Sequence, residues 1–299
     1  IIGDVGDLAR LQAAVSEHAP QIVFHMAAQA LVRNSYADPV GTYATNIMGT
    51  AHLLEVVRKA TGVNVVVNVT SDKCYDNREW VWGYRENEPL GGYDPYSSSK
   101  GCAELVTAAY RNSFFNPANY PRHGVAVASA RAGNVIGGGD WAQDRLVPDF
   151  VRAVTHGEPL TVRNAAAVRP WQHVLDPLRG YMLLAQHLWS DGARYSEAWN
   201  FGPDEDSAQS VQTVVETLAA LWGGGAGWRA DASAVQAHEA HFLKLDCSKA
   251  KTRLSWHPRW NLRTALESTA AWYQAHQAGH DMRAFTLEQI GGYARQVMQ

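Results

Sequence analysis

Val63-Asn64-Val65-Val66-Val67-Asn68-Val69 runs directly into Thr70-Ser71-Asp72-Lys73-Cys74-Tyr75, and the fold of the chain turns on how that join is read. A short β-branched run bounded by polar residues predicts a buried strand opening into a loop. A stretch over 77–92, rich in Trp, Gly and charge, then leads to Asp94-Pro95-Tyr96-Ser97-Ser98-Ser99-Lys100. Asp followed by Pro is a helix-opening signal, so a helix is expected over 94–113. A second apolar strand follows it, Val125-Ala126-Val127-Ala128-Ser129-Ala130-Arg131, running into Ala132-Gly133-Asn134.

Upstream the same alternation continues. Residues 1–7 read as a strand end and turn, 8–17 as a helix, 22–28 as a buried strand ending in small residues, and 39–60 as one long amphipathic helix. Strands alternating with helices predict an α/β fold with a doubly wound, mainly parallel sheet of the Rossmann type. Ligands of such sheets sit beyond the carboxyl ends of the strands, where Ser71, Tyr96 and Asn134 all fall. From about residue 145 the elements become shorter and mixed, with helices expected near 147–155, 178–188, 210–221 and 262–277 and another after 286. Residues 1–144 are therefore expected to form a dinucleotide-binding domain. Residues 145–299 are expected to form a smaller substrate domain interleaved with the last strands of the sheet.

Composition narrows the class. With 26 basic and 29 acidic residues the net charge is −3, which offers no electrostatic case for nucleic acid or for an anionic membrane surface. Cys74, Cys102 and Cys247 lack the spacing of a zinc site or a disulfide framework, and a reducing cytoplasm fits them. No apolar run is long enough to span a bilayer. His238-Glu239-Ala240-His241 lacks the four-residue separation of a zinc helix, so no metal is expected.

The chemistry begins with Tyr96 and Lys100. Positions four apart on a helix share a face, so a phenol and an ammonium can enter one cleft. A phenol titrates at about pH 10 in water, and a fixed cation beside it favours the phenolate, a base for a sugar hydroxyl. Such a pair suits hydride transfer from an alcohol to a nicotinamide. A solvated helix face is the alternative for these two residues, and a solvated turn is the alternative for Ser71-Asp72-Lys73.

Six stretches together resemble the extended short-chain dehydrogenase/reductase family, in particular its nucleotide-sugar 4,6-dehydratases. They lie at 70–77, 82–87, 96–105, 131–141, 169–174 and 244–250. In the 70–77 loop the Asp72-Lys73 pair resembles the branch that acts on CDP-glucose, where the dTDP-glucose enzymes carry Asp-Glu and the epimerases small residues. The resemblance implies NAD as cofactor and a reaction in three parts: oxidation of the glucose at C4, loss of water across C5 and C6, and return of the hydride to C6. It implies Tyr96 as base, Ser71 as its hydrogen-bonding partner, Lys100 on the nicotinamide ribose, Asp72 as acid at the C6 hydroxyl, and Lys73 where the related enzymes place a base. Asp4 and Val5 would meet the adenine, Ala27, Ala28 and Gln29 the pyrophosphate and ribose, and Thr70 would adjoin the cofactor. Asn46 would brace the neighbouring loop. Packing and helix capping are the alternatives for these.

For the CDP-glucose substrate the resemblance implies Arg169, Asn134 and Asn200, with Arg145 and Arg33 as further candidates whose alternative is a surface salt bridge. A homodimer or dimer of dimers is implied, through helices that carry Leu53, Leu54, Val56, Leu105 and Val106. Packing on the chain's own sheet explains those residues equally well. The chain would begin at the family's third strand, without the Gly-rich βαβ unit, and Gly137-Gly138-Gly139 is no substitute for it. The edge of Val23 and Phe24 is then expected to be unpaired and apolar. Another nucleotide-sugar 4,6-dehydratase, a sugar 4-epimerase and, for a truncated chain, a catalytically inactive sugar-nucleotide-binding protein remain the alternative readings.

Overall fold

In the computed structural model, which describes residues 1–231 and 242–295, four parallel strands form the central sheet. They lie side by side in the order Ile22–His25, Val65–Val69, Ala126–Arg131 and Ala198–Asn200, pairing Val23 with Val66, Val66 with Val127, and Arg131 with Asn200. The middle two strands explain its cohesion. Val65, Val66, Val67, Ala126, Val127, Ala128 and Ala130 are fully buried, as expected of a parallel sheet covered on both faces. Each such valine contributes about 1.5–3 kcal/mol relative to an exposed one. Val66 and Val127 pack with Leu53, Leu54 and Val57 from one helix and with Phe115 beyond another.

Ile22–His25 is an edge strand among the described residues. Ile22 and Phe24 are 41% and 40% exposed, whereas Val23 turns inward onto the core. The apolar exposure expected at this edge is present, carried by Phe24 and its neighbour Ile22 and not by Val23.

The helix expected over 39–60 has an interruption that the sequence does not announce. Pro39–Tyr43 and Gly49–Lys59 are α-helical, and Ala44–Met48 between them is a π-helical turn. That wider turn carries the buried Asn46. Gly49 follows because Val5 packs there: a Cβ on Gly49 would lie 2.6 Å from Val5 Cγ1. Leu53, Leu54 and Val56 are buried within the chain itself, while Leu105 on the helix Pro95–Ser113 is exposed. The first helix, Leu8–His18, is capped by Asp7, whose carboxylate accepts from Arg10 N at 3.0 Å. Asp4, the capping alternative, instead turns its carboxylate onto Gly6 N at 2.7 Å.

The chain divides into two units. The first comprises Ile1–Ala132, Gly180–Phe201 and Leu245–Trp256; the second comprises Gly133–Arg179, Gly202–Lys244 and His257–Gln299. The division thus falls at 132/133, earlier than the change of pattern at 144/145. The strand Ala198–Asn200 and the helix Ser248–Leu254 return to the first unit. The second unit has its own core, in which Phe150, Val214, Leu218, Ala265, Leu266 and Tyr273 are almost wholly buried. The C-terminal helix of the described residues is Met282–Arg295, starting before the expected 286. No helix among the described residues is long and apolar enough to cross a membrane.

Candidate active site

The helix Pro95–Ser113 starts where the sequence says it should. Asp94 is its N-cap, its carboxylate accepting from Ser97 N at 2.9 Å and from Ser97 Oγ at 2.6 Å, with Pro95 in the first turn. Every fourth residue of one face is polar and buried: Tyr96, Lys100 and Glu104. Among the described residues the Lys100 ammonium has neither hydrogen bond nor ion pair. Burial pushes its pKa down to about 8, against the opposing pull of Glu104. His25, at the carboxyl end of its strand, is affected in turn. Burial first, and then the positive charge of Lys100, push it down to about 4, so its ring is neutral at pH 7. The Thr50 hydroxyl lies 3.3 Å from His25 Nε2.

The loop after Val65–Val69 folds as a single 3-10 turn, Asp72–Cys74. Ser71 shapes it: Ser71 Oγ accepts from Lys73 N at 3.2 Å and donates to Asp72 Oδ1 at 3.0 Å. Ser71 and Asp72 are buried, and Lys73 is half-buried. Backbone bonds from Thr70 N to Ala130 O (2.9 Å) and from Asp72 N to Ala132 O (3.2 Å) extend the sheet into this loop. The Tyr96 helix packs directly on the turn, with Gly101 facing the Cys74 carbonyl, which also accepts from Gly91 N at 2.9 Å. The structure therefore brings the Ser71-Asp72-Lys73 turn against the helix of Tyr96 and Lys100, beyond the ends of the central strands.

Gln29 and Asn46 brace the segment after the first strand. Gln29 N donates to Asn46 Oδ1 at 2.8 Å, and Asn46 Nδ2 donates to Gln29 O at 3.0 Å and to Ser99 Oγ at 2.8 Å. This links that segment to the Tyr96 helix, with Ala27 exposed and Ala28 half-buried beside it. Asp4 is exposed and Val5 half-buried, its carbonyl 3.3 Å from His52 Nδ1.

In the second unit Asn134 has a positive φ of 48°, and its backbone carbonyl accepts from Gln172 N at 3.3 Å. Its Nδ2 is buried without a hydrogen-bond partner among the described residues. Arg169 is buried on the strand Val168–Pro170, its Nη1 donating to Val168 O at 3.0 Å. Arg145 takes the alternative foreseen for it: it is paired with Asp140 at 2.8 Å, both half-exposed. Arg33 is half-buried on the short helix Val32–Ala37.

Asn200 requires a correction. It is fully buried in the first unit, and its Oδ1 accepts from the Tyr75 hydroxyl at 2.8 Å. Its Nδ2 donates to Tyr84 O at 2.8 Å and Asp246 O at 3.1 Å. Both amide protons are spent on backbone carbonyls, so Asn200 fastens three segments together and has no donor left for a ligand. His238 and His241 lie outside the described residues, and among those described no cluster of three His, Cys, Asp or Glu could hold a metal.

Sequence reading missed Glu104 and Arg131. They form an ion pair at 2.8 Å with each side chain 3% exposed. Burial opposes the charge on Glu104, but Arg131 beside it and hydrogen bonds from Arg131, Thr70 and Ser129 outweigh that and hold the carboxyl below its ordinary range. The available signal was an arginine closing a buried apolar strand, since a charge there needs a partner.

A parallel α/β sheet with a tyrosine-lysine helix at its carboxyl edge defines a Rossmann-type α/β protein. Residues 1–269 match the model of the GDP-mannose 4,6 dehydratase family, and the chain belongs to that family. It is 57% identical over 292 residues to the CDP-glucose 4,6-dehydratase of Salmonella typhimurium, covering 98% of this chain and 81% of that one. In structure it resembles a dTDP-glucose 4,6-dehydratase from Bacillus anthracis in complex with NAD, with a TM-score of 0.75 and 23% identity over 94% of this chain and 81% of that one. It also resembles a UDP-glucose 4-epimerase from Brucella ovis in complex with NAD, with a TM-score of 0.78 and 24% identity over 91% of this chain and 84% of the other.

Proposed function

We propose that this chain converts CDP-D-glucose into CDP-4-keto-6-deoxy-D-glucose. The observation that carries the reading is the packing of the Ser71-Asp72-Lys73 turn on the helix that presents Tyr96 and Lys100. The 57% identity to a CDP-glucose 4,6-dehydratase supports the same substrate.

The residues fit NAD. Lys100 is a buried cation with its donors unspent among the described residues, as needed to hold ribose hydroxyls, and the small side chains of Ala27 and Ala28 leave the backbone open beyond the strand end. Gln29, Asn46 and Thr70 line or brace that side, and Asp4 and Val5 are the adenine candidates. NAD, when bound, supplies a reversible two-electron oxidation, accepting hydride from C4 and giving it back at C6.

The side chains handle the protons. Tyr96, as phenolate, takes the proton of the C4 hydroxyl, and Ser71 hydrogen-bonds the same oxygen. With C4 a ketone, the C5 proton is acidic. Lys73 is the candidate to take that proton while Asp72 gives one to the C6 hydroxyl, so the C5–H and C6–O bonds break, C5=C6 forms, and one water leaves. Asp72 is 1% exposed, the kind of dry setting in which a carboxyl can carry a proton to deliver. Reduction at C6 and reprotonation at C5 complete the product. In the second unit, Arg169 and Asn134 are the candidates for the nucleotide diphosphate.

A cytoplasmic homodimer or dimer of dimers belongs to the same proposal, from Tyr43, Met48 and Leu105 exposed on the two long helical segments. Sedimentation as a monomer would remove it. The decisive assay supplies NAD and CDP-glucose to the full chain. A 4-keto-6-deoxy product, lost at least roughly 100-fold in Tyr96→Phe, is expected; absence of product, or full activity in that variant, defeats the reading. Retained turnover with both Asp72→Asn and Lys73→Met would favour a 4-epimerase.

A further inference from the structure

We infer that Glu104 and Arg131 are positioning residues, one buried ion pair that grips both ends of the loop bearing Ser71, Asp72 and Lys73. The inference rests on the dehydratase reading above for its catalytic meaning, but its geometry stands alone.

The loop spans residues 71–74, and its flanks are Thr70 and Tyr75. Thr70 Oγ1 donates to Glu104 Oε1 at 2.5 Å. Glu104 Oε2 accepts from Ser129 Oγ at 2.7 Å and from Arg131 Nη2 at 2.8 Å. Arg131 Nη1 donates to the Tyr75 hydroxyl at 2.7 Å and to Glu86 O at 3.1 Å, and the guanidinium carbon lies 4.9 Å from the Tyr75 ring centre. The Tyr75 hydroxyl in turn donates a hydrogen bond to Asn200 Oδ1 at 2.8 Å. One carboxylate thus holds the residue before the loop, and one guanidinium holds the residue after it. The two are joined across the sheet.

Stability alone does not account for such an arrangement. Two charges removed from water lose hydration that their attraction barely restores, and well-packed apolar residues of similar volume commonly serve a core as well or better. An ion pair offers direction instead: each donor and acceptor has one angle and one length at which it works. Glu104 also stands one helical turn beyond Lys100, so the carboxylate that fixes the loop belongs to the same rigid element as the Tyr96-Lys100 pair. Any shift of the helix relative to the strand end therefore carries the loop with it. The acid of the elimination stays in register with the base of the oxidation.

The separation of those two steps makes the idea testable. Tyr75→Phe removes the hydroxyl that accepts from Arg131 and donates to Asn200 Oδ1, and keeps the ring, which stacks on Tyr84 with centres 5.0 Å apart. Glu104→Gln removes the charge at the centre of the clamp. Three readouts are taken on the full chain. The first is hydrogen exchange of residues 70–75 without ligands, the second is turnover of CDP-glucose, and the third is the absorbance of reduced nicotinamide during turnover.

For Tyr75→Phe the expectation is faster exchange concentrated at 70–75 with a modest fall in melting temperature, since Arg131 and Asn200 each lose a buried partner. Turnover falls roughly 10-fold with KM within about twofold, and reduced cofactor builds up because C4 oxidation outruns elimination. Glu104→Gln should show the same signature more strongly; if it fails to fold, Tyr75→Phe carries the test by itself. Unchanged exchange at 70–75 overturns the clamp. So does a loss of turnover with no build-up of reduced cofactor, which marks a general structural defect. Absence of product from the unaltered chain would instead defeat the dehydratase reading, and the exchange result would still report on the grip.

Discussion

Gly101 lies so close to Gly91 that a Cβ built on it would stand 2.6 Å from the Gly91 carbonyl oxygen and 3.2 Å from that of Cys74. Neither obstacle is a flexible side chain that could swing aside. Gly101→Ala must therefore push the Tyr96 helix away from the Ser71-Asp72-Lys73 turn or distort the turn itself. A loss of about 1–3 kcal/mol in unfolding free energy is expected from such overpacking, with a fall in turnover larger than in proteins destabilised equally elsewhere. Denaturant unfolding alongside the product assay checks both; an alanine variant equal to the parent in each would show that the contact is soft.

Asp94 sets where that helix begins. Its carboxylate holds both the amide and the hydroxyl of Ser97, and it is itself buried. Asp94→Ala should cost about 1–2 kcal/mol of stability. Because Tyr96 lies in the first turn, fraying there displaces the phenol before the rest of the helix suffers. Asp94→Asn, which keeps the acceptor for Ser97 N, should recover most of the activity. Equal loss in both variants would place the defect in the missing charge and not in the cap.

The same residues show what a sequence can disclose and what it withholds. Val65-Val66-Val67 and Ala126-Val127-Ala128 were legible as strands because both faces are buried and the run is unbroken. Asp94-Pro95 marked a helix start because cap chemistry is local. The π turn at Ala44–Met48 left no trace, since its residues are as compatible with an ordinary helix and only the packing around Asn46 distinguishes them. Asp4 and Asp7 are equally good caps on paper; the first helix chose the one whose carboxylate reaches Arg10 N. Asn200 and the Glu104–Arg131 pair were opaque for a different reason. Their partners lie up to 125 positions away, and no local pattern specifies such a contact.

Buried histidines give the protein an acid limit. His25 in the first unit and His173 in the second are both pushed by burial from 6.5 to about 4, His25 also by Lys100. The unfolded chain binds their protons first, so stability rises with pH between about 4 and 6.5 and falls as acid is added through that window. Each histidine can account for roughly 3 kcal/mol between the two ends. Replacing His25 or His173 singly by Gln should flatten part of the slope; an unaltered slope in both single variants would locate the acid sensitivity in carboxylates.

Lys100 titrates with two opposite consequences. Its folded-state pKa is about 8 against 10.5, so between those values the unfolded chain holds the extra proton, and this group favours the folded state increasingly as pH rises. Below about 8 its burial cost is felt in full. Affinity for NAD should move the other way, because the ammonium proposed to hold the ribose hydroxyls is lost above about 8, weakening binding by up to roughly tenfold for each further pH step. Bound cofactor itself would resist that loss by favouring the charged amine, so the break should appear at a higher pH in the complex than in the free chain. Calorimetric titration of NAD from about pH 7 to about 9.5, with the unaltered chain and Lys100→Gln side by side, reads this directly. The variant should bind more weakly at neutral pH and show no break; matching flat profiles would remove Lys100 from the cofactor site while leaving the stability trend intact.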